Sequence, residues 1–379
     1  MTILIGGDVV PTQSNIGMFN NAEINSLLGD KLLSLWESAE IRIFNLEVPL
    51  CDEYTPIPKC GPNLIAPVST IEGIKALNPS LITLANNHIL DQGEQGLTST
   101  QNILKEKEIP FIGAGHNLNE ASKPYIFHKD GMKIGVYTCA EYEFTIATDK
   151  NAGANPFDPL ESLDHISKLK KECDYVIVLY HGGKEHYRYP SPYLQKVCRK
   201  ISEKGADLVI CQHSHCIGCY EAYNGSTIIY GQGNFIFDKS DSEFWKTSVL
   251  VKVTFDNKIG IEYIPIVKTE NTIRLALGEE AKEILKEFKQ RSNEILEDPF
   301  IEQRYQKFAE EYSQFYLRSF SGYSNFLVRL ERKLLKGKLL KKIYNKERLL
   351  AIQNFIECEA HRELILAGLQ RDEMPNGKK

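Results

Sequence analysis

The 379-residue chain is 42% hydrophobic and 25% charged, the balance of a globular protein with room for one large α/β core and an appendage. A formal net charge of -5 gives no global attraction for nucleic acid or an anionic membrane, so no nucleic-acid partner is expected and any membrane contact must be local. No leader-like start, no apolar run of about 18 residues and no disulfide framework among nine cysteines are visible, so the expected location is a reducing cytoplasm.

Strands and helices alternate up to about residue 270. Thr2 to Val10 reads as a buried strand, Ile24 to Ala39 as an amphipathic helix, Ile41 to Leu46 as a strand and Ser80 to Ala85 as another. A helix over Gln95 to Lys107 leads to a short strand at Phe111, and Asp130 with Gly131 marks a hairpin turn. After a loop at 151–159, a helix at Leu160 to Glu172 feeds the strand Asp174 to Tyr180, and a helix at Tyr193 to Lys204 feeds the strand Asp207 to Gln212. Two pairs of strand-like runs then turn at Asn224 with Gly225 and at Asp256 with Asn257. Parallel units feeding an antiparallel extension argue for two packed mixed sheets with helices outside. From about Gly278 the pattern is helical, giving an expected division into a sandwich domain at 1–275 and a helical region at 276–379.

Polar clusters stand at the ends of five of these strand runs. Gly6 and Gly7 precede Asp8, where glycine would let the backbone approach an ion and the carboxylate would ligate it. In FNLEVP, Glu47 ends a strand next to Pro49 and is placed to bridge two metals. In LANNHILDQGEQG, Asn87 offers a neutral carbonyl oxygen, His88 could polarise an oxygen or donate a proton, and Asp91 could hold the His88 tautomer. His181 closes a near-continuous apolar strand, and Glu185, His186 and Arg188 follow in a loop, as contacts for an anionic substrate. In LVICQHSHCIG, an extended backbone would put His213 and His215 on one face, within reach of a metal pair about 3.5–4 Å across.

Two further features stand apart. Cys211, Cys216 and Cys219 have the spacing of a plant-type iron–sulfur loop, but Cys211 lies in an apolar run and no fourth cysteine is close, so buried thiols are expected. Arg329 to Arg348, reading RLERKLLKGKLLKKIYNKER, sets Leu and Ile at helical spacing among dense positive charge. Anionic lipid or a polyanionic polymer would suit it; a helix packed on the sandwich with a solvated basic face is the simpler expectation.

Taken in order over residues 2–255, GGD, FNLEVP, NNHILDQGEQG, YHGGKEHYRYP and CQHSHCIG with its following YEAYNGSTIIYGQGNFIFD resemble the CapA family of capsule or poly-γ-glutamate synthesis proteins. That family looks like a branch of the calcineurin-like metallophosphoesterases. The resemblance implies a four-layer αββα sandwich with a two-metal centre between the sheets and, here, a carboxy-terminal helical extension. Its ligands would be Asp8, Glu47, Asn87, His181, His213 and His215, with His88 as acid or substrate-orienting group and Asn234 shaping the site wall. Val10 stands where the wider superfamily has a histidine, and Glu47 where it has a bridging aspartate. Oxygen and imidazole donors suit two divalent ions of Mn, Fe or Zn. The implied function is metal-dependent hydrolysis of a phosphoester or amide by activated water, in capsule, exopolysaccharide or poly-γ-glutamate synthesis. The substrate would be an anionic polymer or a phosphorylated or amide small molecule, and capsule-synthesis proteins the partners. The alternative is a non-catalytic protein of the same pathway that binds polymer or machinery on this fold.

Overall fold

The computed structural model describes residues 1–255, 259–335 and 338–369. In chain order the first half holds β1 (Thr2–Val10), α1 (Ile16–Asn20), α2 (Ile24–Glu37), β2 (Ile41–Leu46), α3 (Ile71–Ala76), β3 (Leu81–Thr83), α4 (Gly93–Glu106), β4 (Phe111–Ile112), β5 (Ala114–Gly115), α5 (Leu118–Ala121), β6 (Tyr125–Lys129), β7 (Met132–Ala140), β8 (Gly153–Ala154), α6 (Ser162–Glu172) and β9 (Tyr175–His181). Then come α7 (Pro192–Glu203), β10 (Leu208–Gln212), β11 (Tyr220–Tyr223), β12 (Ser226–Ile229), β13 (Asn234–Phe237), β14 (Thr247–Phe255), β15 (Ile259–Thr269) and β16 (Thr272–Leu275). The rest is helical: α8 (Gly278–Glu294), α9 (Phe300–Phe320), α10 (Asn325–Leu330), α11 (Lys338–Ile343), α12 (Lys346–Glu357) and α13 (Glu359–Leu369).

Two large sheets form from these strands, and β5 pairs with β8 in a small antiparallel one. One runs β16-β15-β14-β1-β2-β3-β4, parallel from β1 to β4 and antiparallel from β14 to β16; the other runs β11-β12-β10-β9-β7-β6 with a parallel centre and antiparallel edges. Alternation along each strand sorts its residues between two faces. Ile3, Ile5 and Ile43 of the first sheet meet Val136, Ile177 and Ile210 of the second in one buried core. On the other face of the first sheet, Leu4, Phe44 and Ile82 pack under Leu28 and Trp36 of α2 and Leu97 of α4. The opposite face of the second sheet sets Val178 and Val209 against Ile166 of α6 and Val197 of α7. Three apolar layers separating helix, sheet, sheet and helix make the αββα sandwich, and burial on both faces explains the near-continuous apolar strand runs.

The expected turns at Asp130–Gly131 and Asn224–Gly225 carry positive φ at both residues, as a two-residue hairpin turn requires. The Asp256–Asn257 turn lies outside the described residues. Four strands were not legible: the short β5 and β8, which pair with each other, and β13 and β16. The short β13 runs parallel to the second half of β1 while β14 pairs with its first half, and β16 forms the sheet edge. Gly29, at φ +66, kinks α2 where a continuous helix was expected.

The helical tract also divides. Phe288 of α8 packs its ring against Tyr220 and Tyr263, one from each sheet, with both centroids at 5.0 Å. Accordingly α8 belongs to the compact unit Met1–Glu302, and Gln303–Lys379 forms a second unit. Within that second unit the described residues of 329–348 fall on short helical pieces rather than on one long helix. Among the described residues no helix is long and apolar enough to cross a membrane.

Candidate metal centre

The centre begins with an irregularity in β1. Pairing with β2 shifts register between Ile5 and Asp8, and pairing with β13 shifts between Asp8 and Val9. Gly7 permits this, because a Cβ there would stand 2.0 Å from the Gly233 carbonyl oxygen. Two buried glutamines take up carbonyls at the irregularity: Gln232 Nε2 donates to Ile5 at 2.6 Å and Gln212 Nε2 to Gly6 at 3.1 Å. The chain can therefore bring Asp8 and Asn234 side by side at the carboxyl end of the sheet.

Every ligand expected from the sequence arrives at a strand's carboxyl end, where parallel sheets gather functional side chains. Asp8 lies in β1, Glu47 follows β2 and Asn87 follows β3; His181 ends β9, and His213 and His215 follow β10. The first sheet thus supplies the oxygens and the second the imidazoles. They meet in the buried interior: His181 Nε2 lies 3.0 Å from Asn87 Oδ1 and 3.2 Å from Glu47 Oε1, and its Nδ1 is 3.8 Å from Asp8 Oδ1. His215 Nδ1 is 3.9 Å from Asp8 Oδ2, and the His181 and His213 ring centroids are 4.9 Å apart. The two histidines of the HSH segment do not share a face of an extended strand, as expected from alternation. β10 ends at Gln212, and His213 and His215 adopt φ of +84 and +54, so a left-handed turn converges the rings. Such a conformation costs on the order of 1 kcal/mol or more per non-glycine residue, a strain that the surrounding packing must hold.

Two asparagines given no role from the sequence, Asn45 and Asn86, organise this cluster. Asn45 Nδ2 donates to Asp8 Oδ1 at 2.7 Å, and Asn86 Nδ2 donates to Asn45 Oδ1 at 3.0 Å and to the Leu46 carbonyl at 2.8 Å. Both sit inside the motifs FNLEVP and LANNH, which is the signal that could have found them.

Without a cation the charges are poorly housed. Burial pushes the Asp8 carboxyl up to about 7, helped by Glu47, and pushes Glu47 up to about 8. Burial likewise lowers His181, takes His213 well below the usual imidazole range and pushes His215 down to about 3. Both Glu47 carboxylate oxygens and His213 Nδ1 are buried without a hydrogen-bond partner; the 3.2 Å approach of His181 to Glu47 lacks hydrogen-bond alignment. Orphaned carboxylate oxygens among neutral imidazoles are what a divalent cation would satisfy, so the residues present fit a metal centre.

His88 stands beside the cluster. Its Nδ1 is 2.5 Å from Asp91 Oδ2, as expected of an imidazole held by a carboxylate. A residue that the sequence did not reveal completes this pair. Lys59, on the irregular segment 51–66, pairs through Nζ with Asp91 Oδ1, donates to the Asn87 carbonyl at 3.1 Å and lies 3.2 Å from His88 Nδ1. Asp91 Oδ2 also accepts from Leu64 N at 2.6 Å, and Gln92 Oε1 accepts from Thr55 N at 2.8 Å, so the segment is stapled along the His88 loop. A lysine in a loop ordinarily reads as solvated surface, whereas this side chain is only 3% exposed. Lys59→Met would leave Asp91 buried with an unpaired charge, so a loss of about 3–5 kcal/mol and proteolytic opening of residues 51–66 are expected. Denaturant unfolding with limited proteolysis checks this, and unchanged stability would contradict the pairing.

The outer residues are built in as well. Asn234 Oδ1 is 2.9 Å from His215 Nδ1, which fixes that ring. His186 Nε2 accepts from Trp245 Nε1 at 2.8 Å, and Arg188 donates to the Ile217 carbonyl and to Glu243, each at 2.9 Å. The Arg188 guanidinium is thus engaged by the wall. Glu185 is half-buried and near enough to raise the Glu47 carboxyl. Cys211, Cys216 and Cys219 are buried, and Cys211 Sγ lies 3.6 Å from Cys198 Sγ; no metal-ligating group among the described residues includes a cysteine.

The chain is 33% identical over 177 residues to the PGA biosynthesis protein CapA of Bacillus subtilis, covering 45% of this chain and 46% of that protein. It is 30% identical over 183 residues to the capsule biosynthesis protein CapA of Bacillus anthracis, covering 47% and 44%. The chain thus spans about half the length of the curated relatives it matches. A phosphatase from Mycoplasma pneumoniae aligns with a TM-score of 0.44 at 16% identity, over 71% of this chain and 94% of that one. The family model described as bacterial capsule synthesis protein PGA_cap matches residues 2–239, the stretch that carries all five motif clusters, and the chain belongs to that family.

Proposed function

We propose that this chain is a metal-dependent hydrolase of phosphoester or amide bonds serving capsule, exopolysaccharide or poly-γ-glutamate synthesis. One observation carries the reading. Glu47 with His181 and His213, and Asp8 with Glu47 and His215, each set their donor atoms within 4.8 Å of one another, and the two groups share Glu47. A carboxylate common to two such groups is laid out to span two cations. Asn87 adds a neutral oxygen beside His181.

Bound there, divalent Mn, Fe or Zn would supply positive charge that acidifies a water and polarises the scissile group. The chain's own residues do the remainder. Asp91 engages His88 Nδ1, which leaves Nε2 to hand a proton to a leaving group or orient an oxygen. Asn234 contacts His215 at Nδ1, the nitrogen that also faces Asp8, and so orients that ring in the cluster. Glu185, His186 and Arg188 are assigned to the substrate side, where His186 and Arg188 are steadied by Trp245 and Glu243. The pathway assignment is supported by family membership and by relatives named for PGA and capsule biosynthesis.

The test is metal content by elemental analysis on tag-free, chelator-free protein, followed by a panel of phosphoesters and amides. About two ions per chain and turnover are expected, both diminished in His213→Ala while circular dichroism stays unchanged. Turnover that survives His213→Ala would refute the assignment. Absence of bound ion even after reconstitution with Mn, Fe and Zn would favour the non-catalytic polymer- or machinery-binding reading, for which Val10 in place of a histidine is the supporting observation.

A further inference from the structure

The loop that follows β9 carries a histidine more firmly built in than a rim contact requires. His186 stands at φ +59, a left-handed conformation that a non-glycine residue keeps only when its surroundings hold it there. Its backbone N–H donates at 2.9 Å to the carbonyl of Ser214, the residue between His213 and His215, so the loop is tied to the ligand turn itself. The imidazole stacks on the Phe244 ring, with centroids 5.5 Å apart and planes 26° apart, and its centroid lies 6.2 Å from that of His215. Trp245 settles which nitrogen of this ring carries the proton. It closes the short turn Glu243–Trp245 and is buried, with its ring 4.6 Å from His215 and 4.7 Å from Phe237. An indole nitrogen can only donate, and Trp245 Nε1 lies 2.8 Å from His186 Nε2. Nε2 must therefore offer a lone pair, which leaves the ring's own proton on Nδ1.

Nδ1 has no partner among the described residues, yet it is not sealed from solvent. A histidine kept only for packing would have both nitrogens satisfied. Arg188 is in the opposite position: its guanidinium is spent on the Ile217 carbonyl and Glu243, each at 2.9 Å, and lies 4.9 Å from the centroid of Phe244. The wall beside His215 thus consumes its arginine and leaves the His186 Nδ1–H free to donate. The kind of acceptor follows from what the centre would take first. An amide has one carbonyl oxygen, which the centre would occupy, whereas a tetrahedral phosphoryl group presents oxygens to the centre and to the wall together.

We propose that His186 Nδ1–H donates to a non-bridging phosphoryl oxygen of the substrate and that Trp245 is the positioning residue that fixes it in that tautomer. The inference rests on the hydrolase reading and narrows it to a phosphorylated substrate. Two measurements on the full chain test it. The first needs no metal: nuclear magnetic resonance of chelated protein, isotope-labelled at the histidine ring nitrogens, reads which nitrogen of His186 bears hydrogen. Protonated Nδ1, bare Nε2 and a Trp245 indole N–H protected from hydrogen exchange are expected. Trp245→Phe keeps a ring against His215 but loses the N–H, and should let the His186 proton spread to Nε2. The second is calorimetric titration of Zn-loaded protein with inorganic phosphate. His186→Ala should weaken phosphate roughly tenfold or more, and Trp245→Phe roughly threefold. His186→Asn, which tolerates positive φ and sets an amide N–H near the place of Nδ1, should restore most of the loss. Zn content and circular dichroism of each variant serve as folding controls.

Several outcomes would overturn the proposal. Hydrogen on Nε2 of His186 in the wild-type chain would do so whether or not any variant folds. So would phosphate affinity that is equal in wild type and His186→Ala, or absent from the Zn-loaded wild type. Equal weakness of the alanine and asparagine variants would reduce His186 to a structural role, and an unchanged tautomer in Trp245→Phe would strip Trp245 of its own. Failure to bind Zn would defeat the hydrolase reading and the phosphoryl contact with it, whereas loaded protein that ignores His186→Ala would defeat this contact alone.

Discussion

Glu47→Gln is expected to weaken the hold of the centre on both divalent cations and, at the same time, to make the metal-free protein more stable in alkali. Glu47 belongs to both ligand groups, so its loss removes an anionic donor from each, while His213→Ala depletes only one. An affinity drop of roughly a hundredfold or more is expected for both ions, read by calorimetric titration and elemental analysis. The stability gain follows from the same burial. In the metal-free chain both Glu47 oxygens lack a hydrogen-bond partner and the carboxyl is pushed up from 4.5 to about 8. Above that pH the wild-type site holds a desolvated, unpaired carboxylate at a cost on the order of 4 kcal/mol, and the neutral amide of glutamine is spared it. Denaturant unfolding at pH 9 in chelator measures the difference. A variant that still loads ions stoichiometrically, or is less stable than wild type there, would refute the bridging role.

The metal-free chain should lose stability between about pH 6.5 and 8.5, and divalent ions should restore it most at the alkaline end. Asp8 and Glu47 have folded values of about 7 and about 8, raised from 3.8 and 4.5, so their favourable contribution is complete below the unfolded values and is lost as pH rises through the folded ones. The histidines act oppositely. His215 is depressed from 6.5 to about 3, and His181 and His213 move the same way, so their contribution is complete above 6.5 and is lost as pH falls. Between about pH 4 and 6.5 the two sets oppose each other; above 6.5 the imidazoles are neutral in both states and only the carboxylates act. The expected loss over that alkaline span is on the order of 3 kcal/mol. Binding a cation to ionised carboxylates reverses the sign, because higher pH then removes competing protons. Scanning calorimetry across this range, with chelator and with Mn, checks it. Equal stability at pH 6.5 and 8.5 in chelator would contradict the burial argument.

Much of this architecture is legible in the chain because its cause is local. Apolar runs that end in Asp8, Glu47, Asn87, His181 and His213 predict strands, and the structure places each at or beside a strand's carboxyl end. Asp130–Gly131 and Asn224–Gly225 encode their turns by tolerating positive φ. What escaped reading depends on contacts distant in sequence. The four residues of β13 are too few to show a period and form a strand only because Gly7 lets Gly233 approach β1. The positive φ of His213 and His215 has no signature in QHSHC, which reads equally well as a strand end. Lys59 is 32 residues from Asp91 and lies in a segment without regular structure, so no local pattern could bring the two together.

The division of donors between the sheets has a consequence for how the molecule holds together. Asp8, Glu47 and Asn87 come with one sheet and the three imidazoles with the other, so neither half possesses a mixed ligand set. A cation bound at that seam would act as a rivet through both layers, and its affinity would become part of the free energy that keeps them face to face. Unfolding of the loaded protein must then rupture both sheets in a single event, whereas the chelated protein can let one layer loosen ahead of the other. Loss of cooperativity, more than loss of melting temperature, is the mark that a missing ion would leave.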